Sequence, residues 1–264
     1  MKILYLGDIM GPLGMEVVRH VLPDLRREQQ LDLVIAQAEN VTGGKSMSPA
    51  DMKTLMSYGI DFFTGGNHTP KRDDIKPSLE DNSQPVIGPA NMPACPGRGW
   101  KYVRSSQGQV LVISLLGETF GNTKPEIDNP LLCMDKILEE NKGVKRVATI
   151  VDFHGDFSSE KRVIGYYLDG KVSAVVGDHW HVPTADAMVL PNGTAHITDV
   201  GMNGAMHSSL GVKMDVIITR WHDGVVNKNE LETAGPLQFN AVLLDIDTQT
   251  GLAKSITQVQ KIIN

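Results

Sequence analysis

Residues 2–8, KILYLGD, and residues 31–40, LDLVIAQAEN, decide the fold: each is an apolar run that stops at a carboxylate, with a helical pattern between them. Continuous apolar runs of this length belong to strands buried on both faces, as in parallel sheets. Lys2–Leu6 and Leu33–Ala38 are therefore expected as strands joined by a helix over roughly Met15–Gln29, which Pro23 should kink. Ile60–Thr64, Val110–Leu115, Arg146–Val151 and Val172–Val176 continue the strand pattern. Between them, Ser48 as N-cap, Pro49 in the first turn, Asp51 and the stop at Gly59 delimit a second helix. Leu131–Asn141 and Ser159–Leu168 read as two more. After Pro183 the pattern changes: Met188–Leu190 and Ala195–Thr198 flank an Asn192-Gly193 hairpin turn, and Asp215–Arg220, Phe239–Ile246 and Ala253–Val259 read as strands. The expectation is a single α/β domain over residues 1–264, with a parallel first part and a mixed or antiparallel second part.

Composition narrows the function. The 264 residues carry 31 acidic and 25 basic side chains, a net charge of −6, 41% apolar residues and two cysteines. This balance disfavours a stable nucleic-acid complex or bulk attraction to anionic membrane. Cys95 and Cys133 form no CxxC pair, which excludes a thiolate zinc site and a disulfide scaffold. MKILYLGDIMG is too short an apolar stretch for a signal core, and no run approaches the roughly 18 residues of a membrane span. A cytoplasmic location is expected.

The chemistry collects at strand ends. Successive strands run into Gly7-Asp8, Glu39-Asn40, Gly66-Asn67-His68, Asp152-Phe153-His154 and Gly177-Asp178-His179-Trp180-His181. In a parallel sheet these ends share one edge, where α/β proteins place ligands. Taken singly, Asp8 reads as a turn or cap, Glu39-Asn40 as an Asx turn, Asn67-His68 as a cap for the helix opened by Pro70, and His154 as a core histidine. His179 and His181, i and i+2 on an extended segment, point the same way and resist that reading. Carboxylates, amides and imidazoles without thiolates suit Mn, Fe, Zn, Co or Ni, and seven donors exceed one tetrahedral site. Two ions bridged by a carboxylate use them well, with Glu39 as the central candidate. Gly44-Lys45-Ser46 is not a phosphate loop, because Glu39 stands where its first glycine belongs, and Gly7, Gly11 and Gly14 do not space as GxGxxG. No GxSxG elbow anchors a serine hydrolase.

The order Gly-Asp, Glu-Asn, Gly-Asn-His, Asp-Phe-His, His-x-His resembles the calcineurin-like metallophosphoesterases. GDIMG, AENVTGG, GGNH, DFH followed by SSEK, GDHWHVPTAD and TDVGM are similar to the bacterial YmdB-like branch, from Met1 to about Met202. Like that branch, the chain has Met10 where most of the superfamily has a metal-binding histidine, and Glu39 for the usual bridging aspartate. The resemblance implies a four-layer α/β/β/α sandwich and 2',3'-cyclic-nucleotide 2'-phosphodiesterase activity. It implies Asp8, Glu39, Asn40 and His181 at one metal, Glu39, Asn67, His154 and His179 at the other, and His68 as the unliganded catalytic histidine. Two divalent or trivalent transition-metal ions are implied, iron or manganese first, with zinc, cobalt or nickel also compatible. Departures are Gly155-Asp156 for Ala-Glu, Trp180 for Thr between the two histidines, and Asp178 beside it; of these, Trp180 and Asp178 are expected to reshape the site mouth.

The implied mechanism is attack by metal-activated hydroxide, with His68 as general acid to the ribose 2'-oxygen. The expected partner is a small phosphodiester, a cyclic nucleotide, and a homo-oligomer is left open. A phosphomonoesterase, a nuclease and a low-turnover metal-binding regulatory protein are the alternatives. Thr198-Asp199 reads equally as a support for histidine ligands or as a turn, and Lys161 and Arg162 as a solvated helix face or phosphate contacts. Trp100 and Trp221 are expected in the core, Trp180 has a stacking alternative, and His20, His196, His207 and His222 have no motif context.

Overall fold

The computed structural model describes residues 1–119 and 125–264. Strand β1 (Lys2–Leu6) leads through α1 (Gly11–Gln29) to β2 (Leu33–Gln37), then α2 (Pro49–Ser57) and β3 (Phe62–Thr64). A 3-10 turn at Thr69–Lys71 and α3 (Lys76–Glu80) precede the hairpin β4 (Trp100–Ser105) and β5 (Gly108–Leu116). Next come α4 (Pro130–Glu140), β6 (Ala148–His154), α5 (Ser158–Tyr167) and β7 (Ala174–Asp178). β8 (Met188–Val189), β9 (Ala195–Ile197), β10 (Gly204–Ala205), α6 (Met214–Asp223), β11 (Leu237–Ile246) and β12 (Ala253–Ile263) follow.

Among the described residues the strands form two six-stranded sheets, one in the order β10-β11-β1-β2-β3 with β12 also on β11, the other β4-β5-β6-β7-β9-β8. Strand alternation builds the layers. Leu4, Leu6, Val34 and Ala36 point away from the second sheet into a core closed by Val17, Val18 and Leu22 of α1 and Met52 and Leu55 of α2. Their neighbours Ile3, Tyr5, Leu33 and Ile35 meet Val110, Val112, Ile150 and Val176 of the other sheet. The opposite face of that sheet, Leu111, Ile113, Val151 and Val175, packs on Met134 and Ile137 of α4 and Ile164 of α5. Three cores between four layers are the α/β/β/α sandwich that the resemblance implied.

The sequence pattern alone suggested one sheet, and this is corrected. The parallel strands divide, β1 to β3 in one sheet and β5, β6, β7 and β9 in the other. The late strands complete both sheets rather than forming a part of their own. β11 pairs antiparallel with β1, Lys2 opposite Asp245 and Leu6 opposite Ala241, so the first strand lies inside its sheet. The Asn192-Gly193 hairpin forms as expected between β8 and β9. Asp215–Arg220 is not a strand but part of α6: Asp215 lies in its first turn, Arg220 and His222 in its last, and Gly224 at φ +67 stops it. α1 begins at Gly11 rather than Met15, and the helix continues through Pro23. Ser48 caps α2 by accepting the Asp51 N–H at 3.1 Å.

Candidate metal centre

The parallel strands of both sheets end on the same side of the sandwich, and their ends supply the site. Beyond β1, Gly7 passes so close to the following half of the chain that a Cβ there would lie 1.8 Å from the Gly201 carbonyl oxygen. That contact seats Asp8, fully buried, below the loop that follows β7, where its Oδ2 accepts the His179 N–H at 3.2 Å. Glu39 stands two residues beyond β2, its own N–H donated to Gln37 Oε1 at 2.8 Å. Its Oε2 accepts the His68 backbone N–H at 2.7 Å, and its Oε1 lies 3.2 Å from His154 Nε2. His154 is the last residue of β6, buried completely, with Asn67 Oδ1 3.1 Å from the same Nε2.

Two donor sets share Glu39. In one, Glu39, His154 and His179 present ligand atoms within 4.8 Å of one another, and Asn67 joins them through His154. In the other, the Asn40 amide nitrogen lies 3.1 Å from Asp8 Oδ1 and 3.3 Å from both Glu39 Oε1 and His181 Nε2. All seven residues singled out in the sequence are therefore brought together. Two details differ from expectation. The Asn40 amide turns its nitrogen to this set and its oxygen to His68 Nδ1, 2.9 Å away, so a half-turn of the amide is needed to offer oxygen to a cation. His179 and His181 lie in a turn with φ of +100 and +63, not on an extended segment, a conformation that costs energy for residues with a Cβ.

Charge follows from burial and from these neighbours. Burial opposes a charge on Glu39, but His154 and His68 beside it hold its carboxyl well below the usual range. Burial likewise opposes a charge on His154, yet Glu39 and Asp178 on either side push the imidazole well up. Burial drives the Asp8 carboxyl up to about 6, against the pull of His181. His179 is lowered to about 4, by burial first and by His154 second, which leaves it neutral at pH 7 with a lone pair to offer.

Gly66 tests whether the cluster suits an ion. A Cβ there would fall 2.4 Å from Glu39 Oε2 and 2.5 Å from His154 Nε2, inside the space that the donors surround. The space is left open by the absence of a side chain, and its lining of oxygen and imidazole donors is that of a transition-metal site. Gly66→Ala is accordingly expected to keep the fold, judged by circular dichroism, while losing most of the bound metal on elemental analysis.

Several side chains behind the donors had a weaker signal. Asp178, expected at the mouth, is fully buried and its Oδ1 lies 2.5 Å from His154 Nδ1, which leaves Nε2 for the centre. The signal was its place inside the GDHWH motif. Lys161, read as a helix-face cation, is buried instead, donating to the Asp178 carbonyl oxygen at 2.5 Å and to Asp199 Oδ2 at 2.9 Å. Asp199 also accepts the Trp180 N–H at 2.8 Å, so it supports the histidine loop through backbone and Lys161, not through an imidazole. Arg162 stays at the surface, over Tyr166. Trp221 is 85% exposed, not core. His207 is exposed and lies outside the cavity lining. A cavity of 580 Å³ opens over the donors; His68, Asp156, Trp180, Leu210 and Ile217 are among its lining residues.

A family model described as YmdB-like protein matches residues 4–259. A 2',3'-cyclic-nucleotide 2'-phosphodiesterase of Bacillus subtilis is 37% identical over 261 residues, covering 98% of this chain and 96% of its own. A novel phosphatase from Mycoplasma pneumoniae superposes with a TM-score of 0.91 at 28% identity, over 99% of this chain and 93% of that one. NAD nucleotidase of Haemophilus influenzae, 14% identical, shares the fold with a TM-score of 0.55 over 100% of this chain and 56% of that one.

Proposed function

The chain belongs to the YmdB-like protein family, and from that premise we propose that it is a binuclear metallophosphoesterase hydrolysing nucleoside 2',3'-cyclic phosphates at the 2' oxygen. The observation that carries this reading is the pair of donor sets meeting at Glu39, one with His154 and His179 and one reached through Asn40, with His68 left at their edge. Asp8, Glu39, Asn40 after its half-turn, and His181 would hold one ion; Glu39, Asn67, His154 and His179 would hold the other. Ions held there supply Lewis acidity, lowering the pKa of water and neutralising the phosphate oxygens. Iron or manganese is the proposed pair, in a cytoplasmic bacterial enzyme.

The protein's own part is positioning and proton transfer. Asp178 fixes the His154 ring through Nδ1, and the Leu210 carbonyl oxygen, 3.1 Å from His181 Nδ1, does the same for His181. Each bond selects the far nitrogen as donor. His68 Nδ1 is engaged by its neighbours, 2.9 Å from the Asn40 amide and 3.3 Å from Glu39 Oε1. Nε2 is then the atom that gives a proton to the departing 2' oxygen. Water adds to phosphorus, the bond to the 2' oxygen breaks, and a nucleoside 3'-phosphate leaves. The test is elemental analysis with steady-state assays on adenosine 2',3'- and 3',5'-cyclic phosphates and a simple phosphomonoester. Two ions per chain and metal-dependent release of 3'-AMP, with at least tenfold preference (about 1.4 kcal/mol) for the 2',3' isomer, are expected. Hydrolysis of the monoester alone, or no metal, overturns the reading.

A further inference from the structure

Trp180 is the one Trp, Tyr or Phe among the described residues that line the cavity. It is held at several points. Its backbone N–H donates to Asp199 Oδ2 at 2.8 Å, and its indole Nε1–H donates to the Asp156 carbonyl oxygen at 3.0 Å. Lys161 Nζ lies 4.1 Å from the ring centroid, and that lysine is fully buried. A buried ammonium against one face, braced by Asp199 and the Asp178 carbonyl, fixes the plane of the ring. A surface tryptophan engaged only in covering apolar neighbours needs neither bond. The ring sits between His179 and His181 in the chain, so a nucleotide whose phosphate meets those imidazoles has its base within reach. Leu210, Val212 and Ile217 supply apolar wall elsewhere in the same cavity.

We propose that Trp180 is the stacking platform for the nucleobase, which makes this enzyme select cyclic phosphates carrying a base over those without one, and purines over pyrimidines. The inference rests on the cyclic-nucleotide reading above and names the part of the substrate that reading leaves open. Every base has a π-face, so a fixed indole recognises bases as a class, and the larger purine surface gains more. The ring's immobilisation before binding removes the rotamer cost that a free tryptophan would carry.

The test compares wild type, Trp180→Ala, Trp180→Phe and Trp221→Ala on adenosine 2',3'-cyclic phosphate, cytidine 2',3'-cyclic phosphate and the base-free methyl riboside 2',3'-cyclic phosphate. Wild type is expected to favour the adenosine ester over the base-free ester by about 5- to 150-fold in kcat/KM, mostly through KM. Trp180→Ala should collapse that ratio, Trp180→Phe should keep most of it, and Trp221→Ala should leave it unchanged. Bound metal and thermal unfolding of each variant separate a lost platform from a damaged site, and the phenylalanine variant keeps the test open if the alanine variant does not fold. Wild type with no preference for a base, or Trp180→Ala with the preference intact, overturns the stacking role and leaves the phosphodiesterase reading standing. Failure of metal-loaded wild type to hydrolyse any of the three esters overturns both.

Discussion

Glu39→Ala is expected to lose both ions together and to reduce turnover by more than about 10³-fold, the scale of several kcal/mol of Lewis-acid stabilisation. The carboxylate stands where the two donor sets meet: Oε1 faces Asn40 and His154, and Oε2 takes the His68 N–H. Glu39 is placed in both sets, so its deletion leaves two incomplete groups rather than one. The variant also leaves His154 with Asp178 as its close anionic neighbour. Elemental analysis is one measure. The response of the melting temperature to added metal is a second: ligand at 100 times its Kd stabilises a native protein by about 2.7 kcal/mol, and the variant should show none of this shift. Retention of two ions in Glu39→Ala would remove Glu39 from the centre.

His68→Ala is expected to do the opposite with metal while still losing activity. The imidazole touches Glu39 and Asn40 but belongs to neither donor set, and it is partly exposed in the cavity. Two ions should remain, while kcat falls by about 10²–10⁴-fold, the range of a general acid. A further readout separates proton donation from ligand support: a substrate whose leaving oxygen is a phenolate requires less protonation and should lose less. Equal losses with both leaving groups would reassign His68 to electrostatic stabilisation, and wild-type turnover would dismiss it from the chemistry.

The site was legible in the sequence because parallel strands announce where they stop. KILYLGD and LDLVIAQAEN are locally coded, and a carboxylate just past a buried run falls on the ligand edge whichever strand lies beside it. What could not be read was pairing at a distance. Whether β1 continues into β5's sheet or into β11's depends on contacts more than 200 residues apart, such as Lys2 with Asp245. The strand β4 lacks a long apolar run because it lies on a sheet edge, with Arg104 exposed. The run Val216-Ile217-Ile218 is β-branched and resembles a strand, yet it belongs to neither sheet among the described residues and lies in a helix capped by Gly224. Asp178 and Lys161 were in plain view as residue types. Their burial behind His154 and Trp180 follows from the docking of two sheets, which no local pattern encodes.

β1 is closed on one side by β2 and on the other by β11, which comes from the last thirty residues of the chain. The strand that delivers Asp8 therefore has no free edge, and its place is fixed by residues from both ends of the sequence.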